Sequence, residues 1–355
     1  MYTQVCELLQ IKHPIIQAGM AGGITTPQLV AAVSNAGGLG TIGAGYLTPN
    51  ETRKVIREVR DLTDHPFAVN LFRVEKAYGD SRTVKVKKAL SNVYNELGIH
   101  MTADEPVVED YYEEQFNVLL DEEVPVISTT FGVPTHNQVI AAQQKKLKVM
   151  TMVTTVEEAI QAELAGVDAI IAQGGEAGGH RGTFKAEQGA ASIGTFALVP
   201  QIVDRVKIPV IASGGIMDGR GLIAALALGA GGIQLGTRFL NSIESGANPL
   251  YKKALLESNE ESTVITTAFS GRPARAIRNA FIDLFDSNSN FISPLRYPIQ
   301  NLVTKEIRKA AKQQGKSEYM SLWAGQGNRL IKEGQSAGQI LAEILLEASQ
   351  IKHSL

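Results

Sequence analysis

Ala172-Gln173-Gly174-Gly175-Glu176-Ala177-Gly178-Gly179-His180-Arg181-Gly182 gathers five glycines, two charged groups and an imidazole at the end of an apolar run that starts at Ala169. Glycine has no Cβ, so such a loop can lie against a phosphate or a flat ring and can reach positive φ. Histidine titrates nearest neutrality, which suits His180 to take a proton from a bound substrate. The combination predicts proton abstraction beside a closely held ligand. Glu176 either orients that imidazole or is a solvated loop charge. Arg181 either favours an anionic substrate or makes a surface salt bridge. The other histidines compete poorly. His13 and His65 each precede a proline ahead of a strand, on the far side of the molecule, His353 lies in the terminal tail, and His100 lies in a polar insertion. His136 follows a strand and reads as opening or capping a helix.

Two amides interrupt apolar runs, Asn70 within Phe67 to Phe72 and Gln173 at the end of the strand before the glycine loop. A polar amide in such a place needs a partner. It either meets the donor and acceptor edges of a flavin's pyrimidine ring or joins an internal amide network. Two further strand ends, Ser213-Gly214-Gly215 and Gln234-Leu235-Gly236-Thr237, offer backbone N–H groups of the kind that hold a phosphate without lysine. Each glycine pair alone is equally well explained by a turn after a strand. Their coincidence with the loop at 174–182 is what points to a ligand.

Holding these loops together requires a repeating scaffold, and the chain supplies one. Short β-rich apolar runs, some quoted with the turn that follows, are read at 14–20, 39–44, 67–72, 124–131, 147–153, 168–173, 208–216 and 232–237, most of them leading through a glycine-bearing turn into a helical stretch. The first helix is expected from Pro27 to Asn35, with Thr26 as its cap. Eight strand–helix units predict an α/β fold, a (β/α)8 TIM barrel, whose site lies at the carboxyl ends of the strands and whose last two loops commonly hold phosphate. The polar stretch 73–123 is too long for an ordinary βα loop and reads as an insertion after the third strand. Beyond residue 240 the strand rhythm is lost, and 241–355 reads as a C-terminal helical lid or substrate subdomain over the barrel of residues 1–240.

Composition narrows the class of ligand. Lys and Arg number 34 against 36 Asp and Glu, so no global field recruits nucleic acid or an anionic membrane. A small molecule fits better. The only cysteine, Cys6, lies outside every glycine loop, which removes a cysteine nucleophile and a cysteine-ligated metal site from those loops, and no metal is expected. No secretory signal and no bilayer-length apolar run is read, so a soluble, cytoplasmic protein is expected. Neither a Ser-His-Asp order nor HExxH or Walker patterns occur.

Gln17-Ala18-Gly19-Met20, Gly37-Gly38-Leu39-Gly40, the Ala172–Gly182 loop, Ser213-Gly214-Gly215-Ile216 and Gln234-Leu235-Gly236-Thr237 together closely resemble the nitronate monooxygenases, formerly called 2-nitropropane dioxygenases. Tyr297-Pro298-Ile299-Gln300-Asn301 and Trp323-Ala324-Gly325-Gln326 extend the resemblance into the tail. It implies a TIM barrel binding FMN through Met20, Asn70, Gln173, Gly178, Gly215, Gln234, Leu235, Gly236 and Thr237, with His180 as catalytic base. It also implies oxidation of alkyl nitronates, such as propionate 3-nitronate, by O2 to a carbonyl compound and nitrite, with detoxification as the role and a homodimer as an allowed assembly. Tyr297 and Lys305 either hold a substrate carboxylate or are ordinary lid surface. The flavin-dependent enoyl-acyl carrier protein reductases share the EAGGH loop and use NAD(P)H. They usually carry an apolar residue where this chain has Arg181, and they lack an insertion like 73–123. A flavin- or phosphate-binding protein without turnover is the third reading.

Overall fold

The computed structural model describes residues 1–74, 79–101, 106–184, 192–287 and 293–354. Its strands run β1 Ile15–Gln17, β2 Gly40–Gly43, β3 Phe67–Phe72, β4 Val126–Thr130, β5 Lys148–Val153, β6 Ala169–Gln173, β7 Gly179–His180, β8 Val210–Ser213, β9 Gly232–Leu235, β10 Thr263–Thr266 and β11 Ala274–Ile277. Eight of them form one parallel sheet in the order β1-β9-β8-β6-β5-β4-β3-β2. Leu39 closes the ring against β1: its N–H donates to the Ile15 carbonyl at 3.0 Å and its own carbonyl accepts from Gln17 N–H at 2.9 Å. The (β/α)8 barrel expected from the alternation is the observed fold.

The barrel interior is apolar, as a parallel sheet covered on both faces requires. Ile16, Leu39, Ala68, Met150, Ile171 and Ile211 fill it, and the N-terminal helix Gln4–Leu9 adds Val5, Cys6 and Leu9. Cys6 is therefore a core residue. Gln17 is fully buried, and its side chain bonds both the N–H and the carbonyl of Thr41, reinforcing the β1–β2 seam. Helix starts follow their caps. Thr26 accepts from Leu29 N–H at the start of Pro27–Asn35, and Thr48 forms a capping box with Glu51 at the start of Pro49–Arg60.

Two expectations change. The stretch 73–123 is not one insertion: the helix Tyr112–Asp121 packs on β3 and on Pro49–Arg60, and so is the barrel helix that joins β3 to β4. Among the described residues before it, Val86, Leu90, Val93, Tyr94 and Leu97 lie off the barrel and share a second core with Phe269, Phe281, Phe285, Ile299 and Ile307 of the tail. Nor is the tail wholly a helical lid. It contains β10 and β11, which with β7 make a three-stranded antiparallel sheet, and its last helix, Ala337–Ser354, packs between Pro27–Asn35 and Gly219–Ala227 on the barrel wall. The physical reason is that the buried stripe Ala337, Ile340, Leu341, Ile344 and Ala348 is what the barrel needs between its first and last strand units.

Candidate active site

The carboxyl ends of the strands open into a cleft with about 1060 Å³ of empty space, counting its mouth. Of the residues singled out in the sequence, Met20, Gln173, Gly178, His180, Gly215, Gln234, Leu235, Gly236 and Thr237 all line it. Asn70 does not. Its amide donates to the hydroxyls of Ser128 at 3.0 Å and Thr130 at 3.1 Å, the internal network that was the alternative for this position. Gln173 lines the cleft while serving the loop, donating to the His180 carbonyl at 3.0 Å and accepting from Gly182 N–H at 2.8 Å.

Other groups in the cleft are free to meet a ligand. The Gln234 side chain, in a residue only 4% exposed, makes no hydrogen bond among the described residues. The N–H groups of Gly214, Gly215 and Gly236 likewise have no backbone acceptor there. Gly214 and Gly215 have φ of 113° and 70°, which turns the chain sharply after β8 and which side-chain-bearing residues rarely adopt. A buried amide and a set of unbonded N–H groups are what a polar, anionic ligand would satisfy.

His180 sits on β7, paired with Ala274 of β11, so the tail and the glycine loop place it jointly. Its Nε2 lies 2.8 Å from the Ser270 hydroxyl, and the rings of Trp323, Phe131 and Tyr297 surround it at 5.2, 5.7 and 6.0 Å between centroids. Burial, helped by the positive charges of Arg272 and Arg308, pushes its pKa down to about 3, so the imidazole is neutral at physiological pH. Phe131, whose φ is 73°, stacks beneath the Arg272 guanidinium at 4.0 Å. A non-glycine residue in that conformation costs energy and is typically found where the surroundings need the side chain in one place.

The two charges left open by the sequence are structural. Glu176 accepts from the N–H and hydroxyl of Thr195 at 2.9 and 2.8 Å, an anion at the start of the helix Thr195–Val203. Arg181, 1% exposed, donates to the carbonyls of Gln173 and Gly174, and burial lowers its pKa to about 10. It clamps the end of β6 and is not a surface salt bridge. His136 opens the helix His136–Gln144, as its position suggested.

Tyr297 and Lys305 line an adjoining second cleft together with Arg308, while Tyr46 and Phe72 line both. Arg308 donates to the backbone carbonyl and side-chain oxygen of Asn301 at 2.7 and 2.8 Å, and burial lowers its pKa. Ser270, Arg272 and Arg308 were missed in the sequence. The signal was present in Ser270-Gly271-Arg272-Pro273, a turn between two β-rich runs, and it was hidden by reading the tail as helical. Among the described residues, no group of three or more His, Cys, Asp or Glu could hold a metal ion, and no helix is long and apolar enough to cross a membrane.

Known proteins share this arrangement over the full length. The probable nitronate monooxygenase of Staphylococcus saprophyticus is 45% identical over 356 residues, covering 98% of each chain, and that of Staphylococcus aureus strain JH9 is 45% identical over 354 residues with the same coverage. Among solved structures, nitroalkane oxidase from Streptomyces ansochromogenes superposes with a TM-score of 0.92 at 38% identity, covering 99% of both chains. FabK from Thermotoga maritima gives 0.79 at 35% identity, covering 100% of this chain and 98% of the other. The family model described as nitronate monooxygenase matches residues 3–347, thus spanning the barrel, the β7–β11–β10 sheet and most of the closing helix, and on that ground the chain belongs to the nitronate monooxygenase family.

Proposed function

We propose that this enzyme is an FMN-dependent nitronate monooxygenase of the cytoplasm, oxidising alkyl nitronates such as propionate 3-nitronate with O2 to a carbonyl compound and nitrite. The observation that carries the reading is a neutral imidazole, His180, set in a glycine-lined cleft, with the positive charges of Arg272 and Arg308 close enough to act on it. The free amide of Gln234 and the N–H groups of Gly214, Gly215 and Gly236 fit a flat, phosphorylated ring, with Met20, Gly178, Leu235 and Thr237 beside them. The electron transfer from nitronate and onward to O2 is the chemistry such a cofactor supplies.

The protein's own residues do the rest. Arg272 and Arg308 attract an anionic substrate to His180. Tyr297 and Lys305, in the adjoining cleft with Arg308, hold a second anionic group when the substrate carries one. Phe131, Tyr297 and Trp323 keep water from the imidazole, which takes the α-proton when the substrate arrives as the neutral nitroalkane. The tail at 241–355 acts as the substrate-covering part of the molecule through its β10–β11 hairpin.

Anaerobic mixing tests the reading. A nitronate is expected to bleach the flavin absorbance of the purified protein with no NADH present. Rapid bleaching by NADH with the nitronate inert would replace the proposal by an enoyl-acyl carrier protein reductase. Bleaching by neither would leave a binding protein without turnover.

A further inference from the structure

The loops after β8 and β9 part company where their ladder ends, at the pair Ser213 and Gln234. Beyond it, the unbonded N–H groups of Gly214 and Gly215 belong to one loop and that of Gly236 to the other, and all three residues line the first cleft. Among the described residues, one hydrogen bond joins 214–218 to 236–241: Arg238 Nε–H donates to the Met217 carbonyl at 3.2 Å. Arg238 stands two residues past Gly236, and Met217 two past Gly215, so this contact governs how far apart the two sets of donors lie. The same guanidinium reaches the tail through Nη2, which donates to Gln335 Oε1 at 2.7 Å and pairs with Glu343 at 3.2 Å. Keeping it there is costly. Arg238 is 3% exposed, burial lowers its pKa against the pull of Glu343, Glu347 and Asp218, and its Nη1 has no acceptor among the described residues. As a fastening for the last helix alone, a buried ion pair with a donor left over is inferior to apolar packing of the same volume. What it spans accounts for it better.

We infer that Arg238 is a positioning residue that sets the spacing of these two loops, so that their N–H groups close together on the phosphate of a bound flavin mononucleotide. The inference rests on the function proposed above and adds which side chain makes one phosphate site out of two loops. A phosphate accepts several hydrogen bonds at once, and the loops after the seventh and eighth barrel strands are where such a fold commonly holds one. Arg238 itself is absent from the cleft wall, whereas Met217 and Thr237 are part of it, so the arginine acts from behind the loops without touching the ligand. A guanidinium suits the task because its donors lie at opposite ends of a rigid plane. Nε takes the Met217 carbonyl while Nη2 is held by Gln335 and Glu343, which a lysine ammonium could not reproduce. The far end of that plane is thereby anchored on the tail, and the near end carries the loop after β8.

Fluorescence titration of the full-length apoprotein with FMN and with riboflavin, which differ only in the phosphate, tests this without turnover. The wild type should bind FMN at least about 100-fold more tightly than riboflavin, the effect of a few charge-assisted hydrogen bonds. Arg238→Met should lower that preference about 10-fold by weakening FMN, with riboflavin held within about 3-fold. Gln335→Ala is the milder variant, for use if Arg238→Met does not fold: it removes one partner of Nη2 from a half-buried position and should lower the preference about 2- to 3-fold. Arg220→Ala removes an exposed positive charge that pairs with Asp218, beside Met217, and should leave the preference as it is. An unchanged preference in Arg238→Met, or in Gln335→Ala where only that variant folds, refutes the positioning role. So does an equal loss of both ligands, which a merely structural arginine would give, or an equal fall in Arg220→Ala, which would be charge acting at a distance. A wild type that holds riboflavin as tightly as FMN overturns the phosphate site and leaves the flavin enzyme standing. One that takes up neither sinks the proposed function, and this inference with it.

Discussion

His180 is held neutral by its surroundings, and that has consequences for activity and for stability. Burial comes first and the nearby positive charges of Arg272 and Arg308 second, lowering its pKa from 6.5 to about 3. Replacing it with asparagine should reduce turnover of neutral nitroalkanes by about 10²- to 10³-fold, the usual contribution of a general base, with preformed nitronates affected much less. Steady-state kinetics on both forms would check this, and equal losses would show that the imidazole is not the base. Between these two pKa values the unfolded chain binds a proton at residue 180 that the folded chain refuses. Its contribution to stability is therefore fully present above pH 6.5 and is lost as pH falls towards 3, with a limiting slope of about 1.4 kcal/mol per pH unit. Urea unfolding of the wild type and His180→Asn at about pH 5 and about pH 7.5 should show the variant losing less stability on acidification. Parallel losses would refute the depressed pKa. At this scale the sequence revealed the identity of the imidazole, because only His180 sat in a glycine loop after an apolar run. It did not reveal the roles of Glu176 and Arg181, since a helix start that needs an anion and a strand end that needs donors exist only once the chain has folded.

At the scale of elements, the glycine loop is positioned by being pressed between β8 and the tail. A Cβ on Gly178 would lie 2.5 Å from the Gly325 nitrogen and 2.6 Å from the Ala324 carbonyl carbon, both backbone atoms that cannot rotate away. Gln326 N–H donates to the Glu176 carbonyl at 3.0 Å, tying the same two segments together. Gly178→Ala should push the loop off the tail and weaken flavin binding about 10-fold or more, as close packing leaves no room to relax. Gly334→Ala is the control. That residue also lies outside regular elements, at φ 73°, yet a Cβ added there would meet nothing within 4 Å, so the change should cost only about 1 kcal/mol of stability and leave binding alone. Fluorescence titration of the apoprotein with FMN separates the two, and equal affinities would show that the contact of loop and tail does not shape the site. The barrel elements were legible because capped helices and apolar strands alternate locally. The β7–β11–β10 sheet was not, because its strands have two to four residues each and β7 finds its partner about ninety residues away.

For the whole molecule, the question is whether the tail is a removable cover or part of the wall. A cover could be cut away to leave a folded barrel. Here the last helix, Ala337–Ser354, puts Ala337, Ile340, Leu341, Ile344 and Ala348 into the main core, alongside Leu29 and Val33 from the first barrel helix and Leu222 from the last. Its contact with Gly219 is backbone on backbone, since a Cβ there would lie 2.4 Å from the Ala348 nitrogen. Polar anchors hold it as well: the Glu244 carboxylate accepts from Ala337 N–H at 2.9 Å, and the buried Arg238 pairs with Glu343 at 3.2 Å. A chain ending at Ser336 should therefore expose the apolar faces of two barrel helices and fail to give a cooperatively unfolding, flavin-binding protein. Failure to express is a blunt result, so Ile344→Ala gives the graded version. Ile344 is fully buried, and removing its side chain should cost about 2–5 kcal/mol in urea unfolding with the slope unchanged. If that variant instead lost less than about 1 kcal/mol, as exposed positions do, the helix would be a loosely held cover and the barrel would close without it.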